Sequence, residues 1–168
     1  MATAVRDKPK ALADTEKPLA GNLSWLLAQA SHVMVTEMTR AFEDMGVAPR
    51  GHCLLSAAQT GEYTQKELAD MVGLDKTTMV VTVDELERAG FAERVPSTTD
   101  RRARIIRVTP AGNRVVAKGQ LIVQEIQRDV LASLPDGEAK SFVETLERLV
   151  NGRLATPVTC SRAPRRRS

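Results

Sequence analysis

The sequence predicts a mainly α chain carrying one small β-hairpin, and three observations predict it. Apolar residues recur at three- and four-residue spacings through most of the chain, the period of one helical face. The pattern changes to alternation only around residues 91–95 and 104–108, as strands require. Glycines, prolines and capping side chains cut the helical stretches into separate lengths.

Taken in order, residues 1–17 are polar, of mixed charge and aperiodic, so a disordered arm is expected. A helical stripe then starts near Leu19 and runs through Leu23, Leu26, Leu27, Ala30, Val33, Met34, Met38, Ala41, Phe42 and Met45. Gly46 and then Pro49 close it. A second helix is expected from Pro49 to Gln59, with Leu54 and Leu55 turned inward and Gly61 ending it. Thr64 and Glu67 have the spacing of a capping box, in which hydroxyl and carboxylate satisfy each other's orphan amides. The helix they open is short and stops at Gly73. Asp75 can cap the next, which runs to about Ala89 and closes at Gly90.

Two strands joined by the polar stretch 96–103 follow, a hairpin with a long basic tip. Thr109 and Pro110 then start a helix with a hydroxyl cap and a proline at its first position. It carries Val115, Val116, Ile122, Ile126, Val130 and Leu134, and the run Pro135, Asp136, Gly137 breaks it. A last helix spans about 138–151 with Phe142, Val143, Leu146, Leu149 and Val150 apolar. Residues 155–168 revert to threonine, proline, serine and arginine, a disordered basic tail.

The 168 residues suit one domain, or one domain with an oligomerisation element. The net charge of +3 permits a polyanionic partner. The distribution says more: Arg94, Arg101, Arg102, Arg104 and Arg107 crowd the hairpin, and Arg162, Arg165, Arg166 and Arg167 end the chain. Aromatic residues make up only 3%, which argues against readers of single strands or RNA, since these stack bases on rings. Two cysteines, Cys53 and Cys160, are no disulfide framework, and a reducing cytoplasm is expected. No apolar run is long enough to span a bilayer, and the N-terminus lacks the apolar core of a signal peptide.

Residues 64–90 have the grammar of a helix-turn-helix: a short helix, a tight turn at Gly73 and Leu74, and a longer helix. In such motifs the start of the second helix faces base edges in the major groove. Met79, Val83 and Leu86 share the core-facing stripe, which leaves Lys76, Thr77, Val80, Val81 and Asp84 on other faces. Val80 and Val81 cannot both join the stripe. At least one must be exposed, and a thymine methyl is a suitable cover. Thr77 and Thr78 can bond bases or phosphates, and Lys76 can neutralise a phosphate. A helical hairpin with the valines at a protein interface fits the same pattern. The hairpin tip favours nucleic acid: a thin basic ribbon packs poorly in a core but can enter a narrow groove, where Arg is attracted. Asp100, two residues before Arg102, can orient that guanidinium.

The segment 64–90, followed by Asp100, Arg101, Arg102, Ala103 and Arg104 and then by Val108, Thr109, Pro110, Ala111 and Gly112, resembles the MarR family of bacterial transcription regulators. The likeness extends over about 19–150. It implies a winged helix-turn-helix lobe at 49–109 and a helical dimerisation region at 18–48 and 110–151. It further implies a homodimer on a near-palindromic double-stranded operator, probed by Lys76, Thr77, Thr78, Val80, Val81, Asp100, Arg101, Arg102 and Arg104. Arg102 would enter the minor groove with Asp100 orienting it. One departure stands out: many members carry Arg where this chain has Val81. Independently, the apolar stripes of the first and the last two helices exceed what the small lobe between them can cover, so a partner chain is expected on them.

The resemblance also implies, as an effector, a small anionic or phenolic ligand bound between lobe and dimer interface. Trp25, His32, Arg50 and His52 are the candidates for lining its pocket. Cys53 reads as a buried small hydrophobe, with a thiol-based redox sensor as the alternative. A protein-interaction module with non-specific DNA affinity is the other competing class. No cofactor or metal site is expected, since two distant histidines have no ligand spacing. No enzyme is expected either, because phosphate loops and nucleophile elbows are absent.

Overall fold

The computed structural model describes residues 19–97 and 103–156. Six helices and one hairpin appear among them: α1 Leu23–Ala41, α2 Pro49–Ala58, α3 Gln65–Val72, α4 Lys76–Arg88, β1 Ala92–Pro96, β2 Arg104–Val108, α5 Pro110–Leu131 and α6 Glu138–Asn151. The expected order and class therefore hold.

Local chemistry accounts for the ends of most elements. The Asn22 side chain accepts from the Trp25 amide at 3.0 Å and starts α1, four residues later than the apolar stripe begins. The helix also stops sooner than that stripe suggests. Beyond Ala41 the chain passes into a 3-10 turn at Glu43–Met45, and Gly46 leaves it in the left-handed region at φ 67°. The reason is packing: Phe42 and Met45 are buried in the core of the following helices, a direction that a straight continuation of α1 would not give. α5 likewise ends at Leu131, three residues short of the expected Leu134.

β1 and β2 pair antiparallel, with Ala92 opposite Val108 and Pro96 opposite Arg104. β1 begins one residue later than the alternation suggests, because Phe91 closes the preceding turn by donating its amide to the Leu86 carbonyl at 2.9 Å. A single bridge from Thr64 to Ile105, and the Ile106 amide on the Tyr63 carbonyl at 3.2 Å, add the approach to α3 as a minimal third strand. The hairpin is thus anchored along its inner edge.

Leu54 and Leu55 of α2, Leu68 of α3, Met79, Val83 and Leu86 of α4, and Ile106 of β2 build one buried cluster. α5 closes it through Val116 and Gly119. The Thr109 hydroxyl makes two bonds here, donating to the Gly90 carbonyl at 2.7 Å and accepting from the Gly112 amide at 3.1 Å. A Cβ at Gly112 would collide with the Phe91 carbonyl oxygen. The threonine and glycine after β2 are therefore a joint that seats α5 on the turn between α4 and β1.

α1 and α6 contain no buried residue within the single chain. Leu23, Leu26, Val33 and Val35 of α1, Leu121 of α5, and Phe142 and Val150 of α6 all lie open, Leu121 at 67% and Phe142 at 50% exposure.

Candidate DNA-binding face

The capping box before α3 forms as expected. The Thr64 amide donates to Glu67 Oε2 at 2.7 Å and the Glu67 amide to Thr64 Oγ1 at 3.2 Å. The Thr64 amide, followed by its hydroxyl, holds the Glu67 carboxyl below its ordinary range. Gly73 ends α3 at φ 69°. No side chain with a Cβ adopts this conformation cheaply, and it produces the tight turn into α4.

Asp75 caps α4 by accepting from the amides of Thr77 at 2.9 Å and Thr78 at 3.1 Å. Its second oxygen accepts the Thr78 hydroxyl at 2.6 Å. That bond, with the Thr78 amide, lowers the Asp75 carboxyl below its usual value. Thr78 is therefore committed to the helix cap, which the reading of it as a free base contact missed. The signal was local: an aspartate three residues before a threonine is itself a reciprocal cap.

Further along α4, Met79, Val83 and Leu86 are buried as the stripe predicts, and Thr82 joins them with its hydroxyl on the Thr78 carbonyl at 2.8 Å. Val80 and Val81 are 37% and 46% exposed. Both members of the pair stand open, where the periodicity required only one. Lys76 and Thr77 are exposed at the helix start. Lys66 of α3 lines the same groove as Lys76, a cleft of about 500 Å³ between the two helices with Gln65, Asp70 and Leu74. Lys66 was not singled out from sequence. Its position in the first turn of the leading helix was the available clue.

The hairpin's basic residues divide into two kinds. Arg94 points back into the lobe. Its guanidinium meets Asp84 at 2.6 Å, pairs with Glu87, and reaches Gln65 at 3.3 Å, while its amide donates to Glu87 at 2.7 Å. One side chain so ties β1 to both helices of the helix-turn-helix. Arg107 pairs with Glu93 across the ribbon at 3.5 Å. Arg104 stays exposed. Two arginines of the hairpin's basic cluster, Arg94 and Arg107, thus serve structural ion pairs. Asp100, Arg101 and Arg102 lie outside the described residues.

The four candidate ligand residues do not converge. His52 is buried, with Nε2 at 3.1 Å from the Val116 carbonyl and its ring edge-on to Phe42 at 5.2 Å. Gly119 leaves just the room this imidazole needs, since a Cβ there would strike it. Within the chain His52 therefore has a packing role. Arg50 faces α4 and pairs with Glu85 at 3.1 Å. Trp25 is half-buried and His32 exposed, both on α1. The larger apolar cleft lies elsewhere, about 550 Å³ between α1, α5 and α6, lined by Met34, Val130, Leu131, Phe142, Leu146 and Val150.

Cys53 is exposed on α2 rather than buried. Partial burial of its sulfur pushes the thiol above its ordinary range, which disfavours the reactive thiolate. Among the described residues no cluster of three or more histidine, cysteine, aspartate or glutamate side chains could hold a metal ion. No helix among them is long and apolar enough to cross a membrane.

Comparison with known proteins places this arrangement. Residues 48–103 match the model of the MarR family. A putative transcriptional regulatory protein for the hcr operon of Thauera aromatica is 28% identical over 141 residues, which cover 83% of this chain and 85% of that protein. A MarR-family transcriptional regulator from Rhodococcus sp. RHA1 superposes with a TM-score of 0.72 at 24% identity, covering 79% of this chain and 95% of that one. CouR from Rhodococcus jostii RHA1, solved with p-coumaroyl-CoA, gives 0.70 at 24% identity over 86% and 99% of the two chains. A repressor named CouR on a 23-mer DNA duplex gives 0.71 at 19% identity over 83% and 100%. Residues 48–103 are thus similar to the MarR family, and the order of elements, with the hairpin after the helix-turn-helix, is the fold of the regulators superposed above.

Proposed function

We propose that this protein is a homodimeric transcription regulator that binds a near-palindromic operator in double-stranded DNA through two winged helix-turn-helix lobes. The observation that carries the reading is the surface of α4: a capped helix start with Lys76 and Thr77 exposed, followed by two open valines, on an element whose other face packs Met79, Thr82, Val83 and Leu86 into the core. An exposed face of this kind at the start of the second helix is what a major groove receives. Lys66 and Arg104 add positive charge, and Arg101, Arg102 and Asp100 complete the proposed contact set at the hairpin tip. A repressor of this fold has been solved on duplex DNA.

The dimer reading rests on α1, α5 and α6. Their open leucines, valines and Phe142 form apolar surface that a monomer would leave in water. A second copy docking these helices against their counterparts gives a closed two-fold assembly. Residues 18–48 and 110–151 would form that region, and residues 49–109 the DNA-binding lobe.

A small anionic or phenolic effector that releases the DNA belongs to the same reading. The support is that CouR of this fold was solved with p-coumaroyl-CoA bound.

Selection of bound duplexes from a random pool tests the proposal. The expected product is a two-fold symmetric site whose half-sites lie about one helical turn apart, with affinity falling steeply as salt rises. Equal binding to selected and random duplexes would overturn it.

A further inference from the structure

The outward surface of α4 holds few groups that can read a base by hydrogen bonding. The Thr78 hydroxyl is engaged by Asp75, and that of Thr82 is buried on a backbone carbonyl. Asp84 and Glu87 pair with Arg94, and Glu85 with Arg50. In the first two turns only Lys76 and Thr77 keep exposed polar ends. Beside them stand Val80 and Val81, with Val81 one turn beyond Thr77 on the same face. Valine is a poor helix former, and an exposed one gains nothing from burial. Two in succession on the outer face of a helix are therefore not explained by folding. Lys76 stands one turn before Val80 on the same helix, and Lys66 lines the groove between α3 and α4 with it, so the partner that fits is an apolar feature set in a polyanion. The thymine C5 methyl is the one apolar group that base edges offer in the major groove.

We infer that Val80 and Val81 read the operator half-site through pyrimidine C5-methyl groups, with Thr77 alongside, so that specificity at this position depends on a methyl and not on a hydrogen-bond pattern. This rests on the DNA-binding reading above and deepens it.

The test uses the full chain and a duplex selected from a random pool. Each thymine of the half-site is replaced singly by deoxyuridine, which removes the methyl and leaves the hydrogen-bonding edge intact. One or two neighbouring positions should lose about three- to tenfold in affinity, the worth of a buried methyl or slightly more. The loss should vanish in Val81→Ala or Val80→Ala, which fold normally because both side chains are exposed. Replacing the sensitive T·A pair by C·G should weaken binding, and 5-methylcytosine at that place should recover part of the loss. If every uracil duplex binds like its parent while random duplex is still rejected, methyl readout is overturned and the DNA-binding reading stands. A uracil penalty unchanged in both alanine variants overturns the assignment to these valines. Equal affinity for selected and random duplexes removes both readings together.

Discussion

The lobe built from α2, α3, α4 and the hairpin differs from the flanking helices α1 and α6 in one respect that governs the rest. The lobe buries its own apolar residues: Leu54, Leu55, Leu68 and Val83 are wholly enclosed. The flanking helices bury none within the chain, although their apolar residues are as regularly spaced. Periodicity alone is identical in the two regions. The difference teaches that one pattern fills a core inside the chain, while the other is left open by it and is the surface that the proposed dimer would cover.

The sharpest way to break the comparison is to disrupt one apolar side chain in each region. Leu55→Ala removes an enclosed side chain and should cost about 2–5 kcal/mol, read as a large fall in thermal midpoint with loss of operator binding. Phe142→Asp, on an open position, should leave the helical content intact. It should weaken the dimer by about 2 kcal/mol or more, seen as monomer in sedimentation at concentrations where the parent is dimeric. A monomer that unfolds at the parent's temperature would confirm that the lobe stands alone.

Smaller effects separate shape from contact within the lobe. Arg94→Met leaves Asp84 and Glu87 without their shared cation and loosens β1 from α4. It should cost about 1–3 kcal/mol, visible both in thermal midpoint and in operator affinity. Arg102→Ala should cost a similar amount, about 1–3 kcal/mol, in binding alone, with an unchanged melting curve. A shift in both would show that Arg102 also holds the fold.

The smallest expected effect is one of pH. Glu67 and Asp75 are held below their ordinary values of 4.5 and 3.8 by the caps they form. A carboxylate with a lower folded than unfolded pKa adds stability above its ordinary value and loses it as pH falls through the folded one. The contribution of both caps should therefore be constant at neutral pH and fade in acid, that of Glu67 below 4.5 and that of Asp75 below 3.8. In melting curves at a series of pH values, Asp75→Ala should lower the midpoint at pH 7 and have progressively less effect in acid.

Much of this was legible in the amino-acid sequence, and the reason is that caps, turns and strand alternation are local. Thr64 with Glu67, Asp75 at the start of α4, Gly73 between the two helices, and Thr109 with Pro110 each act within four residues of themselves. The helix-turn-helix, the hairpin and the order of elements follow from them. That at least one of Val80 and Val81 is exposed was legible as well, because two adjacent residues cannot share one narrow stripe; that both stand open was not.

What tertiary structure alone decided involves partners far apart in the chain. Arg94 looked like a member of the hairpin's basic cluster, yet Gln65, Asp84 and Glu87 take its guanidinium inward. His52 looked available to a ligand, and Val116, Gly119 and Phe42 enclose it. The early end of α1 depends on where Phe42 must go to reach the core. Sequence spacing determines which residues share a face of one element. Only the packing of one element on another determines whether a charge on that face already has a partner, or an apolar side chain already has its cover.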